Sequence, residues 1–284
     1  MKFVGKKLPS KQVMLLNGAV VLIALGSGVT ALRSSFIKED TPPCNARYQN
    51  ALRMSLERDG KSMQASDLQA VLSGTDWGLL DNTRVVSLKA GPSERALEFA
   101  TVVQNPLGAD QRPGIGFLWA PQALQRVPGA CLAYSIFVPD TFEFGGGGRL
   151  PGLTGGSPAG SPDKPEAVST RVVWDDQGRL DLSLLTFETP AGRAVGNARE
   201  DVLARGKWTA LEQEVILNTA GKADGVVRVW LDGKLAIERT KLALRRNDGT
   251  LLSGVQSEVV ARPKSKDAPS KPAKIWLSAY ELRW

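Results

Sequence analysis

"CLAYSIFVPDTFEFGGGGRLPGLTGG", residues 131 to 156, is the stretch on which the reading of this chain turns. Its first half is rich in apolar, β-branched and aromatic residues and ends at Pro139-Asp140, so it reads as a strand closed by a turn. Its second half places seven glycines among the twelve residues from Gly145 to Gly156, with Arg149 standing between them. Glycine removes side-chain bulk beside the main chain, so a ligand or another segment can approach closely. By composition alone this is a flexible surface loop. It is also a way to present one cation, Arg149, to an anionic group.

The texture on both sides is similar. "RVVSLKA", "ALEFATVVQ", "STRVVW", "LDLSLLTF", "WTALEQEVILN" and "KIWLSAYELRW" are short, rich in strand-forming residues, and bounded by Gly, Pro, Asn or Asp. "VRVWLDGKLAIE" predicts a hairpin, because Asp232-Gly233 is a preferred two-residue turn between apolar runs. Many short strands with scarcely a helix predict an all-β fold, a jelly roll or β-sandwich of two antiparallel sheets with a concave binding face. Strand alternation then puts Ser169, Arg171 and Val173 on one face and Thr170, Val172 and Trp174 on the other. One short helix is expected at Asn45–Leu56, where Ala51, Leu52 and Leu56 recur at helical intervals. The stretch 261–274 holds three prolines and five Lys or Arg, which reads as a solvated loop.

The start of the chain is distinctive. Lys2, Lys6, Lys7 and Lys11 precede an uncharged run from Val13 to Leu32, and Arg33 follows. Residues 1–32 therefore read as a signal peptide or as a hydrophobic transmembrane helix anchored in the inner membrane. Either way the rest is expected to be extracytoplasmic, periplasmic or secreted. Residues 33–83 read as a linker with the short helix, and 84–284 as one domain. In an oxidising compartment Cys44 and Cys131 are expected to form a disulfide; two unrelated buried thiols are the alternative.

The chain of 284 residues contains no histidine. Ser-His-Asp and Cys-His catalysis and histidine metal sites are thereby excluded, and two distant cysteines make no zinc cluster. No metal and no cofactor is expected. The formal net charge of +7 points to an acidic partner. For an exported monomer that partner is an acidic polysaccharide or a membrane surface, and not nucleic acid.

The opening stretch resembles the central signature of the alginate-lyase-like proteins of polysaccharide lyase family 14. There a strand and a Pro-acid turn lead into Gly-Gly-Lys-Leu-Pro-Gly-Leu-x-Gly-Gly. "STRVVWDDQG" is similar to the strand that follows, and "KWTALEQEVILNTAGKADGVVRVWLDGK" to a third block. The resemblance implies a jelly roll that binds uronate polysaccharide and cleaves it by metal-free β-elimination. That chemistry needs a cation on the uronate carboxylate, a base for the C5 proton and an acid for the departing oxygen.

Carried over position by position, Ser169 and Arg171 match the family's Ser-x-Arg pair, and Arg149 replaces its loop lysine. Its two tyrosines fall at Ser183 and Leu185, neither of which can replace a phenol. An arginine stays protonated, so Arg149 can clamp a carboxylate but is a poor base. Tyr134 and Tyr280 are candidates for the missing acid or base, with core packing as the alternative. Gly147, Gly148 and Gly155 would let a glycan approach the backbone, and Gln213 would donate to the sugar or satisfy main chain. Trp174, Trp208 and Trp230 could stack on sugar rings or fill the core.

Overall fold

The computed structural model describes residues 41–72, 76–100, 114–124, 126–156, 167–189, 193–194, 201–262, 264 and 273–284. The Val13–Leu32 run and most of the 261–274 loop lie outside the described residues. Among the described residues no helix is long and apolar enough to cross a membrane.

The strands are, in order, β1 (Ala51–Arg53), β2 (Glu57–Arg58), β3 (Lys61–Ser62), β4 (Thr83–Ser87), β5 (Arg95–Ala100) and β6 (Ile115–Trp119). Then come β7 (Gly129–Phe137), β8 (Gly148–Arg149), β9 (Gly152–Gly156), β10 (Ala167–Trp174), β11 (Leu180–Leu185) and β12 (Arg193–Ala194). The last are β13 (Trp208–Ile216), β14 (Gly225–Leu231), β15 (Lys234–Leu242), β16 (Leu252–Ala261), β17 (Lys274–Ser278) and β18 (Glu281–Arg283). Two short helices, α1 (Ala65–Val71) and α2 (Leu79–Asn82), precede β4.

These strands make a β-sandwich of the jelly-roll kind. A nine-stranded sheet runs β15-β14-β13-β7-β17-β5-β4, with β18 pairing both β7 and β1. A seven-stranded sheet runs β12-β11-β10-β8-β16-β6, with β9 also between β10 and β16. Along the long strands the inward face is mostly apolar at every second residue. Leu132 and Ile136 of β7 are fully buried in the same core as Leu153, Val168, Val172 and Val255 of the other sheet. Each such side chain contributes about 1.5 to 3 kcal/mol by leaving water. The Asp232-Gly233 turn joins β14 to β15 with positive φ at both residues, 49° and 79°, as a two-residue hairpin requires.

The expected helix at Asn45–Leu56 is not formed. Cys44–Ala46 is one 3-10 turn, and β1 pairs with β18 in the register Ala51↔Arg283 to Arg53↔Glu281. An unpaired sheet edge outcompeted a weak helical period, and Met54 and Leu56 reach the core from the extended backbone. The compact unit accordingly runs from Pro42 to Trp284 rather than beginning at Arg84. Cys44 and Cys131 form a disulfide with a Cα–Cα distance of 5.8 Å, which fastens this first segment to β7.

Candidate functional site

On β10 the alternation is complete. Val168, Thr170, Val172 and Trp174 turn inward, leaving Ala167, Ser169, Arg171 and Val173 on the outward face of the seven-stranded sheet. Directly opposed residues share a face. The pairs Ser169↔Leu185, Arg171↔Ser183 and Ser169↔Thr154 therefore put β11 and β9 side chains beside them. Arg149 lies between Val173 and Val260 in the same sheet. On β16 the alternation brings Gln256 and Glu258 to this face, opposite Leu118 and Gly116 of β6.

Arg149 and Arg171 converge on a single carboxylate, that of Glu258. Arg149 Nη1 is 2.9 Å from Oε1, and Arg171 Nη1 pairs with Oε2. Burial lowers the pKa of Arg171; the charge of Glu258 opposes this and that of Arg149 adds to it. A guanidinium nevertheless stays charged at neutral pH. Two like charges are held together because a carboxylate sits between them.

Next to the pair lies a pocket of about 70 Å³ lined by Leu118, Thr154, Ser169, Arg171, Leu185 and Gln256. One water needs about 10 to 15 Å³, so this space takes a group of a few heavy atoms. Two lining donors, Ser169 Oγ and Arg171 Nε, are buried without a hydrogen-bond partner among the described residues. Such orphans are costly unless a bound group satisfies them. The face can hold an anion. Among the described residues the carboxylate in contact, Glu258, already serves two guanidinium groups, which favours an anion over a cation here.

Several expected site residues lie elsewhere. Tyr134 is buried between the sheets, donating to Pro151 O at 3.3 Å and packing edge-on against Tyr280. Tyr280 is likewise buried, 2.6 Å from Ser257 Oγ. Burial pushes both phenols well above the usual range, so neither serves as acid or base for a ligand on the outward face. Gln213, on β13 of the other sheet, also points inward. Its Oε1 accepts from Leu153 N–H at 3.0 Å and from Thr170 Oγ1 at 3.2 Å, tying the two sheets together. Trp174 is core, and Trp230 is covered by the Cys44 segment. Trp208 packs on Phe137, in the nine-stranded sheet.

The glycines answer to the protein rather than to a ligand. A Cβ at Gly147 would meet Trp174 O, at Gly148 the Trp174 ring and Val260 O, and at Gly155 Leu251 O. Bare backbone is needed there because β8 and β9 are threaded tightly between β10 and β16. Gly155 also borders the pocket.

Glu258 is the member that sequence reading missed. The signal was present in "VQSEVVA", where Gln256 and Glu258 alternate with the buried Val255, Ser257 and Val259. Nothing local indicated that this strand would lie against Arg149.

The family description of polysaccharide lyase 14 matches residues 97–260, more than half of the chain. No curated protein matches the chain in sequence. Among solved structures, the PL-14 alginate lyase from Aplysia kurodai is similar at a TM-score of 0.64 and 22% identity, covering 83% of this chain and 98% of its own. Alginate lyase vAL-1 from Chlorella virus reaches 0.57 at 19% identity, over 71% and 88% of the two chains. Endo-β-1,4-glucuronan lyase from the fungus Trichoderma reesei reaches 0.53 at 12% identity, over 71% and 86%. At these identities the likeness concerns the fold.

Proposed function

Because the chain belongs to the polysaccharide lyase 14 family, we propose that the outward face of its seven-stranded sheet binds an acidic, uronate-containing polysaccharide, and that it does so without cleaving the chain. One observation carries this reading: Arg149 and Arg171 are already arranged around a carboxylate. Charge-assisted bonds from arginine to carboxylate are strong and geometrically selective. A sugar carboxylate can share or replace the place of Glu258, or take the orphan donors Ser169 Oγ–H and Arg171 Nε–H.

Elimination asks for more than this. The positions across from Arg171 and Ser169 carry Ser183 and Leu185 instead of phenols. Arg149 cannot accept a proton at neutral pH. Glu258 has both oxygens engaged, so taking the C5 proton would cost it the arginine pair. The Lys-rich start, the apolar Val13–Leu32 run and the disulfide support work outside the cytoplasm, either secreted or on a membrane anchor.

The test is a titration of the protein with a panel of uronate polymers, with absorbance of the unsaturated product followed in parallel. Binding that weakens as salt rises, without unsaturated product, is expected. Robust release of unsaturated uronate would replace this reading by an active lyase with an altered acid-base set. Failure to bind any uronate polymer would end both.

A further inference from the structure

We propose that Trp77 is a stacking wall for a sugar ring, placed beside the arginine pair to hold the pyranose next to the one whose carboxylate the arginines take. The proposal rests on the glycan-binding reading above and adds a second contact to it.

The geometry comes from pairing at the sheet edge. Trp77 N–H donates to Gly116 O at 2.8 Å, and Gly116 N–H donates to Trp77 O at 2.9 Å. This is one antiparallel bridge added beyond β6. Gly116 is in turn directly opposite Glu258. Residues directly opposed across a ladder point to the same face, so Trp77 and Glu258 share the outward one. The indole lies over Gly116, where a Cβ would collide with ring atoms Nε1, Cε2 and Cζ2. Gly116 is thus the bare floor on which the ring lies, directly across the ladder from Glu258.

Trp77 is held there deliberately. Gly78 turns the chain in the left-handed region at φ 68°, α2 follows, and Asn82 Nδ2 donates to Gly114 O at 2.9 Å. A ring needed only as core filler would sit on the inner side of β6 with Ile115 and Phe117. Trp77 instead lies on the outward side and stays partly exposed. It also lies before residue 97, where the family match begins. An indole offers a broad, rigid apolar face with little entropy to lose, suited to the C–H face of a pyranose. The carboxylate clamp and the aromatic wall then read two adjacent sugars.

The experiment titrates the full chain, Trp77→Ala, Trp77→Phe and Gly116→Ala with a uronate oligosaccharide, with monomeric glucuronate and with a neutral oligosaccharide. Affinity is read by calorimetry and by tryptophan fluorescence. Trp77→Ala is expected to weaken oligosaccharide binding roughly tenfold and to leave glucuronate binding unchanged. Trp77→Phe should retain most of the affinity while losing the fluorescence change. Gly116→Ala should mimic the loss by displacing the ring. Equal oligosaccharide affinity in Trp77→Ala would overturn the stacking role, as would an equal loss for glucuronate. Trp77-dependent binding of the neutral oligosaccharide would keep the stacking role and sink the uronate reading. No binding of any glycan by the unaltered protein would sink both.

Discussion

Glu214 and Glu258 are each held by a pair of arginines, on the outward faces of opposite sheets, yet they serve different ends. Glu214 Oε2 takes Arg47 Nη2 at 2.8 Å and Arg228 Nη1 at 2.9 Å, and Tyr48 OH donates to Oε1 at 3.0 Å. Arg228 is tied again to Glu238 at 2.8 Å, and the Arg47 guanidinium sits over Trp230. The Cys44–Tyr48 segment covers this cluster, leaving the Glu214 side chain 2% exposed. Glu258 is 16% exposed, with Arg149 at 43% and two orphan donors nearby. The residue types are nearly the same. Coverage and satisfaction separate a structural lock from a place for a ligand.

Removing the cover should have the largest effect. Replacing both Cys44 and Cys131 by Ala reopens a loop spanning 87 residues and should cost about 4.5 kcal/mol by chain entropy. Denaturant unfolding in non-reducing buffer reads this directly, and a loss below about 1 kcal/mol would mean the cover holds without its staple.

Glu214→Ala should come next, at about 3 kcal/mol, because it strands two partly buried guanidinium groups. Its glycan affinity should stay as it was. A lost affinity with intact stability would erase the contrast between the two clusters.

The open cluster should respond in the opposite way. Arg171→Ala should weaken binding to an anionic glycan by roughly tenfold to a hundredfold, and the more exposed Arg149→Ala by roughly tenfold or less. Arg149→Ala should leave stability within about 0.5 kcal/mol, since an exposed ion pair contributes little. Melting curves beside the titrations would show whether either arginine is structural instead.

The smallest and most discriminating change is Glu258→Gln. If Glu258 only keeps the place of a sugar carboxylate, its neutral isostere should raise glycan affinity severalfold, while lowering the melting temperature because Arg149 and Arg171 lose the charge between them. If affinity falls instead, Glu258 is needed to position the arginines.

Much of this is legible in the sequence. The Asp232-Gly233 hairpin follows from turn chemistry, because few dipeptides accept positive φ twice in succession. The shared face of Ser169 and Arg171 follows from the period of two in a strand. Ser183 and Leu185 fall opposite them because β10 and β11 are joined by a short turn, which sets their register. The helix over Asn45–Leu56 failed for the converse reason: its period was local, while the partner that made it a strand, Glu281–Arg283, lies at the far end of the chain.

The sequence by itself determined the sandwich, since alternating apolar residues bounded by turn formers can bury themselves only by packing sheet on sheet. It also determined which residues travel together on a face. Only the tertiary structure decided which face is covered. Tyr134, Tyr280 and Gln213 went inside, the glycines were filled by Trp174 and neighbouring backbone, and Glu258, 109 residues beyond Arg149, came to lie between two arginines. Strand periodicity is a local property of one segment, whereas burial and charge pairing depend on which strand becomes a neighbour. That choice is made by the closure of the whole sheet.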